Sequence, residues 1–329
     1  MTGEGGPGDQ RAVSVRGLAK TYDGHTFAVD GIDLDVDRGA VHAVLGPNGA
    51  GKTTLVEILE GYRKRTRGQV SVLGMDPEHG GRRFRERIGI VLQESGIEPA
   101  LSVTEVLRMR APLYPDPLAV TDVIEMVGLE EKSSARVRTL SGGQKRRLDM
   151  ALGLVGNPEL LFLDEPTTGF DPSARRESWE TIRSLCGLGK TVLLTTHYMD
   201  EAQALADQLT IVARGRVVAR GTPDAIGDRA HGTARVTFTL PVDGALDDLP
   251  VPFLVEDGRV VVECRPDGPQ GPTAVLHRLT GWALERGIEL DALSVIRPSL
   301  EDVYLELTGA AGGGEGAERG TDGAGAGRR

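Results

Sequence analysis

Two rhythms of apolar positions run through this chain, one of period two and one near four, and they predict an alternation of strands and helices. Residues 12–16 open a strand. Residues 32–36, Ile-Asp-Leu-Asp-Val, alternate apolar with acidic side chains as a half-buried antiparallel strand does. Val41-His42-Ala43-Val44-Leu45 is more continuously apolar, which fits a strand covered on both faces. A helix is expected over 54–60, followed by strands over 69–73 and 88–92. Ser102-Val103-Thr104-Glu105 has the form of a capping box, and residues 120–127 repeat apolar positions at helical spacing. Strands are expected again at 159–163 and 191–195, with a helix capped by Asp171-Pro172 between them and another over 199–207. Two short strands flank the Arg214-Gly215 turn.

From residue 233 the pattern changes. Strands are expected at 235–240, 259–263 and 288–295, and helices at 273–286 and 299–307. The chain therefore reads as an α/β domain over 11–228, with a helical subdomain inserted at about 94–150, followed by a small α+β domain over 233–309. Residues 1–10 and the Gly/Ala-rich residues 310–329 are expected to be disordered tails. No internal repeat is evident.

Composition narrows the class. Of 329 residues, 39% are hydrophobic and 26% charged, ordinary for a globular protein. No apolar run approaches the ~18 residues of a membrane span, and the first ten residues lack the basic and apolar regions of a secretory signal. Cys186 and Cys264 suggest neither a disulfide framework nor a metal site, which fits a reducing cytoplasm. A net charge of -10 argues against a nucleic-acid-wrapping protein. The basic clusters at 63–67 and 82–87 read as solvated faces, the alternative being a surface toward anionic lipid or a membrane subunit. Only six of the 38 basic residues are lysine, a bias that points to a GC-rich bacterial genome.

The first chemical signal is Gly46-Pro47-Asn48-Gly49-Ala50-Gly51-Lys52-Thr53-Thr54, a G-x-x-x-x-G-K-T phosphate loop between a strand and a helix. Its glycines let successive backbone N–H groups turn toward phosphate oxygens, and the helix N-terminus adds partial positive charge. Lys52 is placed to reach the β- and γ-phosphates of a nucleoside triphosphate, and the Thr53 hydroxyl to hold Mg²⁺. A second phosphate-grade site lies at Ser141-Gly142-Gly143-Gln144, again a Ser and two glycines opening a helix. Two such sites in one chain suit a nucleotide clamped between two protomers. A third signal is Leu160-Leu161-Phe162-Leu163-Asp164-Glu165, an apolar strand that delivers two carboxylates to its carboxyl end.

With Leu140-Ser141-Gly142-Gly143-Gln144 the chain resembles the ATP-binding-cassette (ABC) ATPases over residues 13–226. The resemblance implies a P-loop NTPase fold with a mixed α/β core sheet, an antiparallel β subdomain and an inserted helical subdomain. It also implies a head-to-tail dimer of two copies around two ATP molecules. By the same resemblance Asp164 holds magnesium and Glu165 polarises the attacking water. Gln93 touches magnesium and that water, His197 contacts the γ-phosphate, Asp171 crosses the dimer interface, and Tyr22 stacks on adenine. Phe170 stands where the family usually has leucine.

The pattern looks closest to bacterial drug- and antibiotic-export ATPases of the daunorubicin-resistance type, through Leu163-Asp164-Glu165-Pro166-Thr167-Thr168-Gly169-Phe170-Asp171-Pro172 and Thr195-Thr196-His197-Tyr198-Met199-Asp200-Glu201-Ala202. The stretch 298–309 resembles the accessory domain that ends many such subunits. This implies export of a small molecule through a separate integral-membrane permease, with the ATPase on the cytoplasmic face of the membrane. The competing expectation is a soluble ABC ATPase acting on nucleic acid or ribosomes. No nucleic-acid partner is expected.

Overall fold

A computed structural model describes residues 10–91, 96–229, 234–239, 248–256, 258–264, 270–296 and 304. They fall into two compact units that divide between Ile226 and Gly227.

The first unit contains two sheets. Strands β1 (Arg11–Thr21), β2 (Phe27–Asp37) and β4 (Arg67–Val72) form an antiparallel sheet in the order β2-β1-β4. The alternation read in residues 32–36 is realised there: Ile32, Leu34 and Val36 are buried while Asp33 stays exposed. The second sheet has the order β5-β6-β7-β3-β8-β9, from β3 (Val41–Leu45), β5 (Ile88–Val91), β6 (Leu160–Asp164), β7 (Thr191–Thr196), β8 (Gln208–Ala213) and β9 (Arg216–Gly221). Its first five strands are parallel and β9 is antiparallel to β8. Helix α1 (Lys52–Leu59) packs against β2 of one sheet and β6 of the other. Its Leu55, Ile58 and Leu59 share one core with Val13, Leu34, Phe162 and Leu193.

Helices α3 (Val103–Arg110), α4 (Val120–Met126) and α5 (Gly142–Leu154) pack on one another through Val103, Leu107, Val123 and Leu148, all fully buried. The capping box at Ser102 is present: its hydroxyl accepts from the Glu105 N–H while the Glu105 carboxylate accepts from the Ser102 N–H. Helix α6 (Pro172–Gly187) packs on β7, and α7 (Met199–Leu205) on β3, β7 and α6. The expected helix 199–207 ends two residues early, because the Asp207 carboxylate accepts instead from the Val41 N–H at 2.8 Å.

Helix α2 (Gly81–Arg85) had no counterpart in the sequence pattern; it buries Phe84 beneath the basic cluster. The cluster residues form ion pairs: Arg63 with Glu57, Arg65 with Asp76, Arg82 with Glu86 and Arg87 with Glu159. Helix α8 (Pro223–Arg229) follows β9.

In the second unit β10 (Ala234–Thr239), β11 (Leu254–Glu256), β12 (Arg259–Cys264) and β13 (Asp291–Ile296) form an antiparallel sheet in the order β11-β12-β10-β13. Helix α9 (Pro272–Arg286) packs Val275 and Leu279 against Val236, Phe238 and Val262. The strand expected from 288 begins at Asp291, because Gly287 caps α9 in a left-handed conformation and Ile288 donates back to the Ala283 carbonyl. The helix expected at 299–307 lies outside the described residues apart from Tyr304.

Candidate functional site

Three parallel neighbours, β6, β7 and β3, end side by side, so the residues following each meet at one edge of the sheet. After β3 the chain turns through residues 46–51 into α1. The Gly51 backbone has φ 103°, and a Cβ there would sit 2.2 Å from the Ala28 carbonyl oxygen. A Cβ on Gly46 would sit 2.4 Å from that of Val212. Neither position accepts a side chain, and the loop is fixed by that packing. Lys52, at the first position of α1, is buried, and its ammonium donates to the Gly46 carbonyl at 2.7 Å and to Pro47 at 3.2 Å. Burial pulls its pKa down, while Glu165 and Asp164 push it up. Asn48, Gly49, Gly51, Thr53 and Thr54 line a pocket of about 190 Å³ with Lys52 and Glu165. The Thr54 hydroxyl is 3.0 Å from the Tyr22 hydroxyl, which brings that exposed ring beside the loop. Arg63 and Lys20 stand over the Tyr22 ring, at 5.1 and 5.2 Å from its centroid.

From β6, Asp164 accepts a hydrogen bond from the Thr195 hydroxyl of neighbouring β7. Glu165 follows with φ 46°, a left-handed conformation in which glutamate is strained by ~1–2 kcal/mol. Its N–H donates to the carbonyl and hydroxyl oxygens of Thr195, both at 3.1 Å, which holds the turn. The Glu165 carboxylate thus lies 3.7 Å from the Lys52 ammonium and 3.2 Å from His197 Nδ1, the latter outside hydrogen-bond geometry. The His197 ring stands 4.1 Å from that of Tyr198.

A second group forms elsewhere. Ser141 caps α5 with a full capping box: its hydroxyl accepts from the Gln144 N–H, and the Gln144 side chain accepts from the Ser141 N–H. Asp171 caps α6, accepting from the N–H groups of Ser173 and Ala174. Ser141, Gly142, Gly143, Gln144 and Asp171 line a broad pocket of about 1030 Å³, and Glu165 lies at its edge. Glu165 therefore borders both pockets, while the phosphate loop lines one and the Ser141 helix the other. Gln93 lies outside the described residues.

Among the buried polar residues that sequence reasoning missed are Arg146 and Glu201. Arg146 on α5 donates to the carbonyls of Pro166 and Asp164, both at 3.0 Å, and of Glu165 at 3.3 Å, which clamps the turn carrying the carboxylates. Glu201, on α7, is buried against Trp179 of α6. The signal for Arg146 was its place four residues before Met150, on the inward face of α5.

Geometry of this kind, with a glycine-fixed loop, a buried lysine and two carboxylates at the end of β6, suits the phosphates of a nucleotide. The ABC transporter family model matches residues 29–168, and an ABC transporter domain-containing protein-like C-terminal domain matches 234–299. The daunorubicin resistance ATP-binding protein DrrA3 of Streptomyces coeruleorubidus is 39% identical over 91% of this chain and 96% of its own. This chain belongs to the ABC transporter ATP-binding proteins. The Nod factor export ATP-binding protein I of Ralstonia nicotianae is 38% identical, over 92% of this chain and 96% of that protein. Among solved structures, cbiO1 of Clostridium perfringens, part of the ABC transporter complex cbiONQ, is 31% identical with a TM-score of 0.61, covering 66% of this chain and 90% of that one. The chain is an ATPase of this family, and its first unit has the ABC cassette fold. Among the described residues no helix is long and apolar enough to cross a membrane.

Proposed function

We propose that this chain is the ATP-hydrolysing subunit of an exporter, acting as a head-to-tail pair on the cytoplasmic face of a membrane and bound there to a separate permease. The observation that carries this reading is the division of the site. One chain holds a phosphate loop on one pocket and a helix N-terminus at Ser141 on another, with Glu165 at the border of both. A second copy in reversed orientation supplies to each nucleotide the half its own chain lacks.

In this reading the backbone N–H groups of residues 46–54 and the Lys52 ammonium hold the β- and γ-phosphates, and Tyr22 offers a ring face to adenine. Ser141, Gly142, Gly143 and Gln144 of the other copy close on the γ-phosphate, with Asp171 at the interface. Thr53, Asp164 and Gln93 would hold Mg²⁺, which would neutralise phosphate charge when bound. Glu165 accepts a hydrogen bond from water and aims it at the γ-phosphorus, while His197 steadies the phosphate. Water adds to phosphorus and gives a proton to Glu165, the bond to the β–γ bridging oxygen breaks, and ADP and inorganic phosphate leave. Relatives named for daunorubicin resistance and for Nod factor export support a small-molecule cargo, with a drug or antibiotic the first candidate.

The deciding experiment is affinity purification of the Glu165→Gln protein from its native cells in mild detergent with Mg·ATP. Recovery of a polytopic membrane protein is expected. Recovery of ribosomes or DNA-bound proteins in its place would overturn the exporter reading in favour of a soluble ATPase.

A further inference from the structure

Glu201 is completely buried, yet no step of the reaction above uses it. It stands in the first turn of α7, just after the turn that carries His197. Its Oε1 accepts from side chains on two other segments, the Thr167 hydroxyl at 2.7 Å and the Trp179 indole N–H at 3.3 Å. Thr167 is itself fully buried, on the loop between Glu165 and Asp171; Trp179 is on α6, the helix that Asp171 caps. The Thr196 hydroxyl, at the end of β7 beside His197, also acts on this carboxyl. Burial pushes the group toward its neutral form, and these donors, with Arg175, pull it back toward charge.

A second link runs parallel to the first. Arg175 on α6 pairs with Asp200 at 3.0 Å and stands over the Tyr198 ring, 4.3 Å from its centroid; that ring in turn faces His197. Packing alone would be served by an apolar side chain at position 201. A buried carboxyl that gathers donors from separate segments specifies their relative positions instead.

We propose that Glu201 is a positioning residue that joins the Asp171 loop to the His197 turn, so that capture of Asp171 by a second copy sets where His197 stands. This rests on the head-to-tail reading given above.

The test compares steady-state ATP hydrolysis by the full chain with that of Glu201→Gln and of the double variant Thr167→Val/Trp179→Phe. Thr167→Val is near-isosteric and Trp179→Phe keeps an aromatic ring of smaller volume; together they remove both donors to Oε1. It is expected to lose about tenfold or more in kcat with KM within about twofold, because alignment and not nucleotide binding is disturbed. Glu201→Gln retains a carbonyl oxygen for both donors and is expected to stay within about threefold of the parent kcat. Three results would overturn the proposal: parental kcat in the double variant, a KM rise that matches the kcat loss, or a Glu201→Gln loss as large as the double variant's. Lys52→Ala run in the same assay separates the two levels. Undiminished turnover there would overturn the nucleotide-site reading itself, whatever the Glu201 variants do.

Discussion

Lys52 and Glu165, 113 positions apart in sequence, stand with ammonium and carboxylate 3.7 Å apart on the wall of one small pocket. The pairing follows from sheet order, since β3 and β6 both neighbour β7. The lysine is also tied to the Gly46 and Pro47 carbonyls, so its charge is held in place by the loop it follows. Lys52→Ala is expected to weaken ATP binding by about ten- to a hundredfold, the loss of charged hydrogen bonds worth ~1.5–3 kcal/mol. Isothermal titration calorimetry checks this, and unaltered affinity would contradict the phosphate-loop assignment.

Replacing the carboxylate should separate binding from chemistry. Glu165→Gln is expected to keep ATP affinity while hydrolysis falls by roughly 10²–10⁴, the range for loss of a positioned general base. With the reaction stalled, the protein should elute as a dimer in Mg·ATP and as a monomer without it. Undiminished turnover would remove Glu165 from the role.

The two capping boxes offer an internal control. Ser102 and Ser141 make the same pair of bonds with Glu105 and Gln144. Alanine at either position is expected to lower stability by ~1 kcal/mol, seen in thermal melts. Only Ser141→Ala should also lower kcat, because only that helix end borders the broad pocket. Equal activity in both variants would reduce Ser141 to a cap.

His42 gives the fold an acid limit. It is buried on β3 with Nε2 2.8 Å from the Thr210 hydroxyl, and burial pulls its pKa to about 4. A depressed histidine pKa means that the unfolded chain binds the proton first. Its contribution is therefore complete above about pH 6.5 and drains away as pH falls toward 4, by roughly 3 kcal/mol in total. Urea melts across that window should show the loss, and His42→Gln should flatten it.

The parallel core was legible because β3, β6 and β7 are short, continuously buried runs, the first ending at Gly46 and the second at Asp164, and buried parallel strands have that form. The turn from β3 into α1 was legible because a phosphate loop fixes glycine at fixed spacing between a strand and a helix. What escaped the sequence lacked such a signature. Strand β11 is three residues long and exposed throughout, so it carries no alternation to read. Helix α2 is a single turn whose one inward residue, Phe84, is surrounded by arginines that read as a charge run. Arg146 carried only its helical spacing from Met150, and its partners, the carbonyls of residues 164–166, are brought to it by folding. Glu201 was hidden for the same reason, since its donors Thr167 and Trp179 lie 34 and 22 positions before it and are brought to it by folding.

The left-handed backbone at Glu165 sets activity against robustness at a single position. Glycine suits φ 46° without strain, so Glu165→Gly is expected to gain up to ~1 kcal/mol of stability over the parent while losing its turnover. A library of this chain selected only for heat resistance would therefore enrich dead enzymes at position 165. The carboxylate persists there only where something downstream of ATP hydrolysis is also being counted.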